Sequence, residues 1–287
     1  MGTVYVGGAW REGKRANLPA LNTGLMYGES VFEAIPFFRG RPLFWRDHVA
    51  RLAKGCAFLG WKAPSDGLLR RVVREGFRKG VWDGTGIFRA AWVCPLGPRD
   101  VPSRPDPGRP LLLASFRPLR HDPTSPRPPL LSVGVSRWRV PSPGQYPSAF
   151  KTAFYLTVRR EFRQHPAWDE MLRLDAEGRV VDGASSAPLV LTRGEVWAPP
   201  DGSGGLEGVT RRRVLSLCAS MGWKVRRRAW TIRDASRSGN ELVFVGSGLG
   251  VAAVRRLPGR VLKAPGKGAL RLWDAYRKTI LEGEKRI

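Results

Sequence analysis

Ser148-Ala-Phe-Lys-Thr-Ala-Phe-Tyr-Leu156 sets one lysine in an apolar stretch at the start of a helix predicted over 152–164. The chain is poor in lysine: of its 49 basic residues 10 are Lys and 39 are Arg. Most of the other lysines stand in polar or turn contexts, which singles out Lys151. Burying an ammonium disfavours its charged form, lowers its pKa and makes the amine a nucleophile of the kind that forms Schiff bases. The local sequence leaves open a second reading, in which the lysine lays its stem on apolar surface and keeps its head in water.

Outward from Lys151, three further stretches carry groups suited to an anionic ligand. Gly204-Gly-Leu-Glu-Gly-Val-Thr-Arg211 leads into an amphipathic helix predicted over 210–221. The unpaired N–H groups and the dipole at such a helix start suit phosphate, although a plain Thr cap reads the same way. Gly246-Ser-Gly-Leu-Gly250 follows a predicted strand and offers a hydroxyl and amides, or is simply a turn. Asp182, in Gly178-Arg-Val-Val-Asp-Gly-Ala-Ser-Ser186, ends a strand before a glycine turn, where a carboxylate can face a cavity or cap the turn.

The alternation and spacing of apolar residues give an α+β chain. Strands are predicted at 3–6, 30–38, 87–94, 110–116, 130–135, 170–174, 179–181, 189–191, 225–232 and 241–245. The turn Arg39-Gly-Arg-Pro42 makes a hairpin with Leu43-Phe-Trp. Helices are predicted over 46–59 and 67–80. The stretch Arg117–Pro129 holds five prolines, which bar helix and inner strand, and reads as a crossover loop. It divides a small domain, 1–116, from a larger one, 130–287. Many short strands and few helices favour a barrel-like second domain over a doubly wound one.

At 42% hydrophobic and 25% charged, the 287 residues have the proportions of a folded globular protein. No apolar run reaches membrane-spanning length, and the start lacks the marks of a secretory signal. Three cysteines and three histidines show neither disulfide nor metal spacing. The expectation is a reduced, cytoplasmic, metal-free protein without a membrane partner. The net charge of +25 favours loose contact with polyanions. Without a basic tail, zinc finger or aromatic RNA-binding strand, specific nucleic-acid binding is not expected.

Six segments, taken in order over nearly the whole chain, resemble the class IV aminotransferases, the fold-type IV enzymes of pyridoxal 5'-phosphate (PLP). Gly24-Leu-Met-Tyr-Gly-Glu-Ser-Val-Phe-Glu33 is similar to the family's GL-x-YG-x-x-VFE opening, and Asp47-His-Val-Ala-Arg-Leu52 to its EH-x-x-RL helix. Phe150–Leu156 resembles K-T-x-N-Y-L. The run from Asp169-Glu to Asp182-Gly resembles DE-x-x-L-x-D-x-x-G-x-V-x-E-G, Leu206–Arg211 resembles L-x-G-I-T-R, and Gly246-Ser-Gly to Val254 resembles the late phosphate turn.

The resemblance implies a two-domain enzyme like D-amino-acid aminotransferase, with a small α/β-sandwich domain and a larger pseudo-barrel domain that binds PLP, the cofactor lying between the domains of a homodimer. By motif position, Lys151 is the catalytic Schiff-base lysine and proton shuttle. Arg51, the amides of Val209 and Thr210, and Ser247 hold the phosphate. Tyr155 bonds the phenolic oxygen, and Asp182 holds the ring-nitrogen proton. Tyr27, Phe32 and Trp92 line the side-chain pocket, and Arg99 grips a substrate carboxylate or is a surface arginine, with Asp100 beside it.

The chain departs from the pattern at several of these positions. Asp182 stands where Glu is usual and is shorter by one methylene, roughly 1.5 Å of reach, so the ring sits closer or a water bridges. Ala187, Phe154, Ala253 and Cys94 replace the usual Asn, Asn, Pro and Arg. The implied reaction is transfer of an amino group between an amino acid and a 2-oxo acid. The alternatives are lysis of aminodeoxychorismate to 4-aminobenzoate and pyruvate, and a non-catalytic binding homologue. The cofactor motifs do not give the donor's side chain or hand.

Overall fold

In the computed structural model, which describes residues 2–18, 22–94 and 110–282, the chain packs as two units. The first takes the residues up to Leu119 together with Phe150–Phe154, and the second takes Arg120–Ala149 and Tyr155–Glu282. The segment around Lys151 therefore belongs by its contacts to the first unit, although it lies in the sequence range expected for the second domain. The proline-rich stretch is part of the second unit from Arg120 onward, where Trp273 Nε1 donates to the Ser125 carbonyl at 3.0 Å.

The first unit comprises β1 (Thr3–Val6), β2 (Ala9–Glu12), α1 (Thr23–Met26), β3 (Ser30–Phe38), β4 (Arg41–Pro42), α2 (Trp45–Phe58), α3 (Asp66–Arg78), β5 (Gly86–Val93) and β6 (Leu111–Arg117). Its sheet runs β2-β1-β6-β5-β3-β4, antiparallel throughout. From Val31 to Phe38, β3 is apolar except for Glu33 and is buried at almost every position, as a strand covered on both faces requires. The helix α3 starts where Ser65 accepts from the Leu68 amide, and it buries Leu69, Val72, Val73 and Gly76 as one stripe.

The second unit comprises β7 (Leu130–Val135), α4 (Leu156–Gln164), β8 (Glu170–Leu174), β9 (Val180–Gly183), β10 (Ala187–Leu191), β11 (Glu195–Ala198), α5 (Val209–Ser220), β12 (Lys224–Arg227), α6 (Ile232–Ala235), β13 (Glu241–Gly246), β14 (Gly250–Leu257), β15 (Arg260–Val261) and α7 (Lys267–Glu282). Its mixed sheet runs β12-β11-β10-β13-β14-β7-β8-β9, with β15 on β14. The apolar interior includes Leu131, Leu172, Val190, Phe244, Ala252 and Trp230.

Three expectations are corrected. The helix predicted over 152–164 begins only at Leu156, because residues 151–152 pair with β3 instead. The strand predicted over 225–232 stops at Arg227, and Thr231 caps the short helix α6 through a reciprocal pair with Asp234. Past β13, the sequence reading gave no element, yet β14, β15 and α7 follow. Glu241 supplies the cap of α7, its carboxylate accepting from the Gly268 and Ala269 amides at 2.8 and 2.9 Å. Among the described residues no helix is long and apolar enough to cross a membrane.

Candidate active site

In the first unit the candidate residues gather on β3 and its neighbours. The Phe32 amide donates to the Lys151 carbonyl at 3.0 Å, and Thr152 forms a bridge with Val31. Gly55 of α2 makes room for this arrangement, since a Cβ there would meet Val31 at 2.9 Å and the Phe150 ring at 3.0 Å. Lys151 is half-buried, with Nζ 5.6 Å from the centre of the Phe32 ring. The Arg89 guanidinium lies 4.2 Å from the same ring centre.

Adjacent strand positions face opposite sides of a sheet. Phe32 pairs with Ala91, whereas Trp92 pairs with Val31, which packs toward α2. Trp92 therefore stands on the α2 side, where its Nε1 donates to the Lys62 carbonyl at 3.1 Å, and does not share a wall with Phe32 as the sequence reading had it. Arg89, opposite Ala34, shares the Phe32 face. Tyr27 ends α1 and is 47% exposed. Arg99 and Asp100 lie outside the described residues.

On the α2 side, Glu33 is 1% exposed and receives Arg51 Nε at 2.6 Å and Nη2 at 2.9 Å. The two Arg51 donors meet Oε1 and Oε2 in turn, and His48 Nδ1 lies 2.8 Å from the same Oε2. Burial alone would raise the Glu33 pKa, but the charge and hydrogen bonds of Arg51, with those of His48, hold it well below the usual carboxylate range. Burial pushes His48 the other way, below its ordinary value, against the pull of Glu33 and with a contribution from Lys151. Its Nε2 is buried without a partner.

In the second unit, Asp182 is the last residue but one of β9. Its Oδ1 accepts from the Gly183 amide and its Oδ2 from the Leu206 amide, both at 2.9 Å. The Asp182 carboxylate thus ties the glycine loop that leads into α5, two motifs that read separately in the sequence. Gly205 has to be glycine there, because a Cβ would meet the Val181 carbonyl at 2.7 Å. Burial raises the Asp182 pKa, opposed by the Leu206 amide and by the charge of Arg173, its cross-strand partner on β8.

The first turn of α5 has no side-chain cap: Gly208 stands at the N-cap. Its opening amides, at Val209 and Thr210, are therefore not taken up by an N-cap side chain. Thr210 and Ser247 bring their hydroxyl oxygens within 3.2 Å of each other. Tyr155 precedes α4 and packs with Val158, Met171 and Ala184.

Glu170 is buried and accepts from the amides of Met171, Ala184 and Ser185 at 3.0, 2.8 and 3.2 Å, and from the hydroxyls of Ser185 and Ser186 at 2.8 and 2.6 Å. Burial raises its pKa, and these hydrogen bonds oppose the shift. Ser186 in turn lies against Gly246, where a Cβ would come within 2.9 Å of it. Replacing Glu170 with alanine strands five donors, three of them backbone amides that cannot move away. The expected loss is about 3 kcal/mol or more in urea unfolding, whereas a loss under about 1 kcal/mol would show that water replaces the carboxylate.

The first unit thus holds a nucleophile candidate and a buried Arg–Glu–His cluster, and the second a helix start without a side-chain cap beside two hydroxyls. Comparison with known proteins decides the family: a model of the amino-transferase class IV family matches residues 30–257. The chain belongs to that family. It is therefore an enzyme of the aminotransferase class. The branched-chain-amino-acid aminotransferase of Salmonella typhimurium is 24% identical over 270 residues, covering 89% of this chain and 85% of that protein.

Class IV members also share the fold. A branched-chain aminotransferase from Thermoproteus uzoniensis, solved with norvaline, is 24% identical, covers 99% of this chain and 96% of its own, and superposes with a TM-score of 0.85. The Thermobaculum terrenum branched-chain aminotransferase in its PLP form gives 0.84 at 18% identity, covering 98% and 94%. The expected α+β, fold-type IV architecture stands on these likenesses. Sequence reading missed Glu33, His48, Arg89 and Glu170 as site residues. A signal existed for Glu33, a lone acid within a nine-residue apolar strand, and for Glu170, which follows Asp169 in a quoted motif.

Proposed function

We propose that the chain transfers an amino group between an amino acid and a 2-oxo acid, with Lys151 as nucleophile and proton carrier. The cofactor is pyridoxal 5'-phosphate; when bound it supplies an aldehyde to condense with amines and a ring that accepts electron density. The observation that carries this reading is the placement of Lys151. The backbone beside it is hydrogen-bonded to β3, which supports an amine held beside the Phe32 ring rather than left on a solvated helix start.

Fit to the cofactor is tested by the donor set. In the first unit Arg51, and in the second the amides of Val209 and Thr210 with the hydroxyls of Thr210 and Ser247, are each donors of the kind a phosphate monoester dianion takes. The Asp182 carboxylate would hold a proton on a ring nitrogen, and Tyr155 would donate to a phenolate. Lys151 would move a proton to and from the carbon that bears the amine. Arg89, on the Phe32 face with Lys151, is the cation placed to meet a substrate carboxylate, a role the sequence reading gave to Arg99.

The relatives' names point to branched-chain donors, and the apolar Phe32 ring fits such a side chain. The test follows the visible absorbance of the holoenzyme during a single half-reaction with individual L- and D-amino acids. Bleaching is expected with leucine, isoleucine and valine of one hand. Release of 4-aminobenzoate from aminodeoxychorismate, with no bleaching by any amino acid, would replace this reading by the lyase. Exchanging Arg89 for methionine should raise the KM for the amino acid about tenfold or more and leave the absorbance of the resting holoenzyme unchanged.

A further inference from the structure

Glu33 is an ionised carboxylate in the middle of a buried apolar strand, and every residue around it in β3 from Val31 to Phe38 is apolar. An acid survives there only with partners that match its charge and its lone pairs. It has them: Arg51 donates Nε to Oε1 and Nη2 to Oε2, and Oε2 also faces His48 Nδ1 and, at 3.3 Å, the Ala34 amide. Two parallel N–H···O bonds to one carboxylate fix the plane of a guanidinium, which a single bond does not.

The helix supplies the rest of the brace. His48 and Arg51 are three residues apart on α2, so both side chains leave the same face toward β3. His48 meets, at Nδ1, a carboxylate that can only accept. Its Nδ1–H therefore donates to Glu33, and the carboxylate is held from two sides. Once the plane of the guanidinium is set, the directions of the remaining Arg51 N–H groups follow. Glu33 and Arg51 together are neutral, so what this cluster contributes to an anion is aimed hydrogen bonds more than charge.

We infer that Glu33 is a positioning residue for phosphate recognition: it sets the orientation in which Arg51 meets the phosphate end of the cofactor. The inference rests on the reading of Arg51 as a phosphate ligand and goes beyond it by naming what aims the arginine. A carboxylate that merely offset the arginine's charge would compete with the phosphate, and its removal would tighten binding. A carboxylate that aims the arginine has the opposite effect on removal.

The measurement is the pair of dissociation constants of the full chain, freed of cofactor, for pyridoxal phosphate and for pyridoxal, which lacks the phosphate. Their ratio isolates phosphate recognition from condensation at Lys151. Glu33→Asp keeps the charge but withdraws the carboxylate, and Glu33→Gln keeps the length but leaves one oxygen for the two Arg51 donors and sets an NH2 group against the other. Both are expected to cut the preference for the phosphorylated form about tenfold or more, with pyridoxal affinity held within about twofold, which also reports that the variant is folded. An unchanged or increased preference in the variants that bind pyridoxal normally overturns the inference. Arg51→Met separates the two claims: if it lowers the preference while the Glu33 variants do not, only the positioning role fails. If Arg51→Met leaves the preference unchanged, the phosphate reading of Arg51 fails and takes the positioning role with it.

Discussion

Lys151→Ala is expected to abolish borohydride-reducible attachment of pyridoxal phosphate and to lower transamination about a thousandfold or more, since both the nucleophile and the proton carrier are lost. The cofactor should still bind, but dialysably, because the donors assigned to its phosphate are untouched by the change. Stability should move little, within about 1 kcal/mol in urea unfolding, because the side chain is only half-buried and the hydrogen bond to β3 is made by its backbone. This combination separates a functional lysine from one that only lays its stem on apolar surface. In the second case alanine would alter stability and leave the covalent attachment intact. Retained reducible attachment in Lys151→Ala would point to one of the nine other lysines and remove the basis of the proposed mechanism.

How far the sequence reveals the site depends on whether a residue's role is local. Lys151, Thr210 and Ser247 were legible because each announces itself within a few residues: a lysine among apolar neighbours, a glycine-rich approach to a helix, a glycine turn after a strand. Most strands and helices up to β13 were legible for the same reason, since their apolar spacing is written along them, but the four-residue elements β2, α1, β11 and α6 are not among these. What failed was non-local. Residues 151–152 read as the beginning of a helix because nothing nearby shows that they pair with a strand more than 100 positions earlier. The Glu241 cap of α7 acts across 27 positions. Which face of β3 and β5 a side chain takes depends on the pairing register, and for this reason Trp92 was placed beside Phe32 and Arg89 was passed over. Glu33 and Glu170 are organisers whose partners come from other elements, so their types are visible in the sequence but their tasks are not.

Asp182→Asn has the second large expected effect, and its two consequences are separable. The substitution is nearly isosteric, but one of the two oxygens becomes an NH2 group. The Gly183 and Leu206 amides both need an acceptor, so whichever way the carboxamide turns, one of them faces a donor. If it is Leu206, the glycine loop ahead of α5 loses its tie, and the amides of Val209 and Thr210 shift with it. The second consequence is electrostatic. A neutral amide cannot hold a proton on a ring nitrogen as a carboxylate does, and the loss of one aimed charge of this kind costs about a hundredfold or more in turnover. Asp182→Glu tests the chain's own departure from its family. The longer arm keeps the charge but has to find new room beside Gly205, whose approach to Val181 and Asp182 is already close. The expected order of turnover is therefore Asp, then Glu, then Asn, with cofactor affinity falling in Asn more than in Glu. If Asn matched Asp in turnover and in affinity, the carboxylate would be only the tie for the loop, and the proton on the ring nitrogen would have to be held by another group.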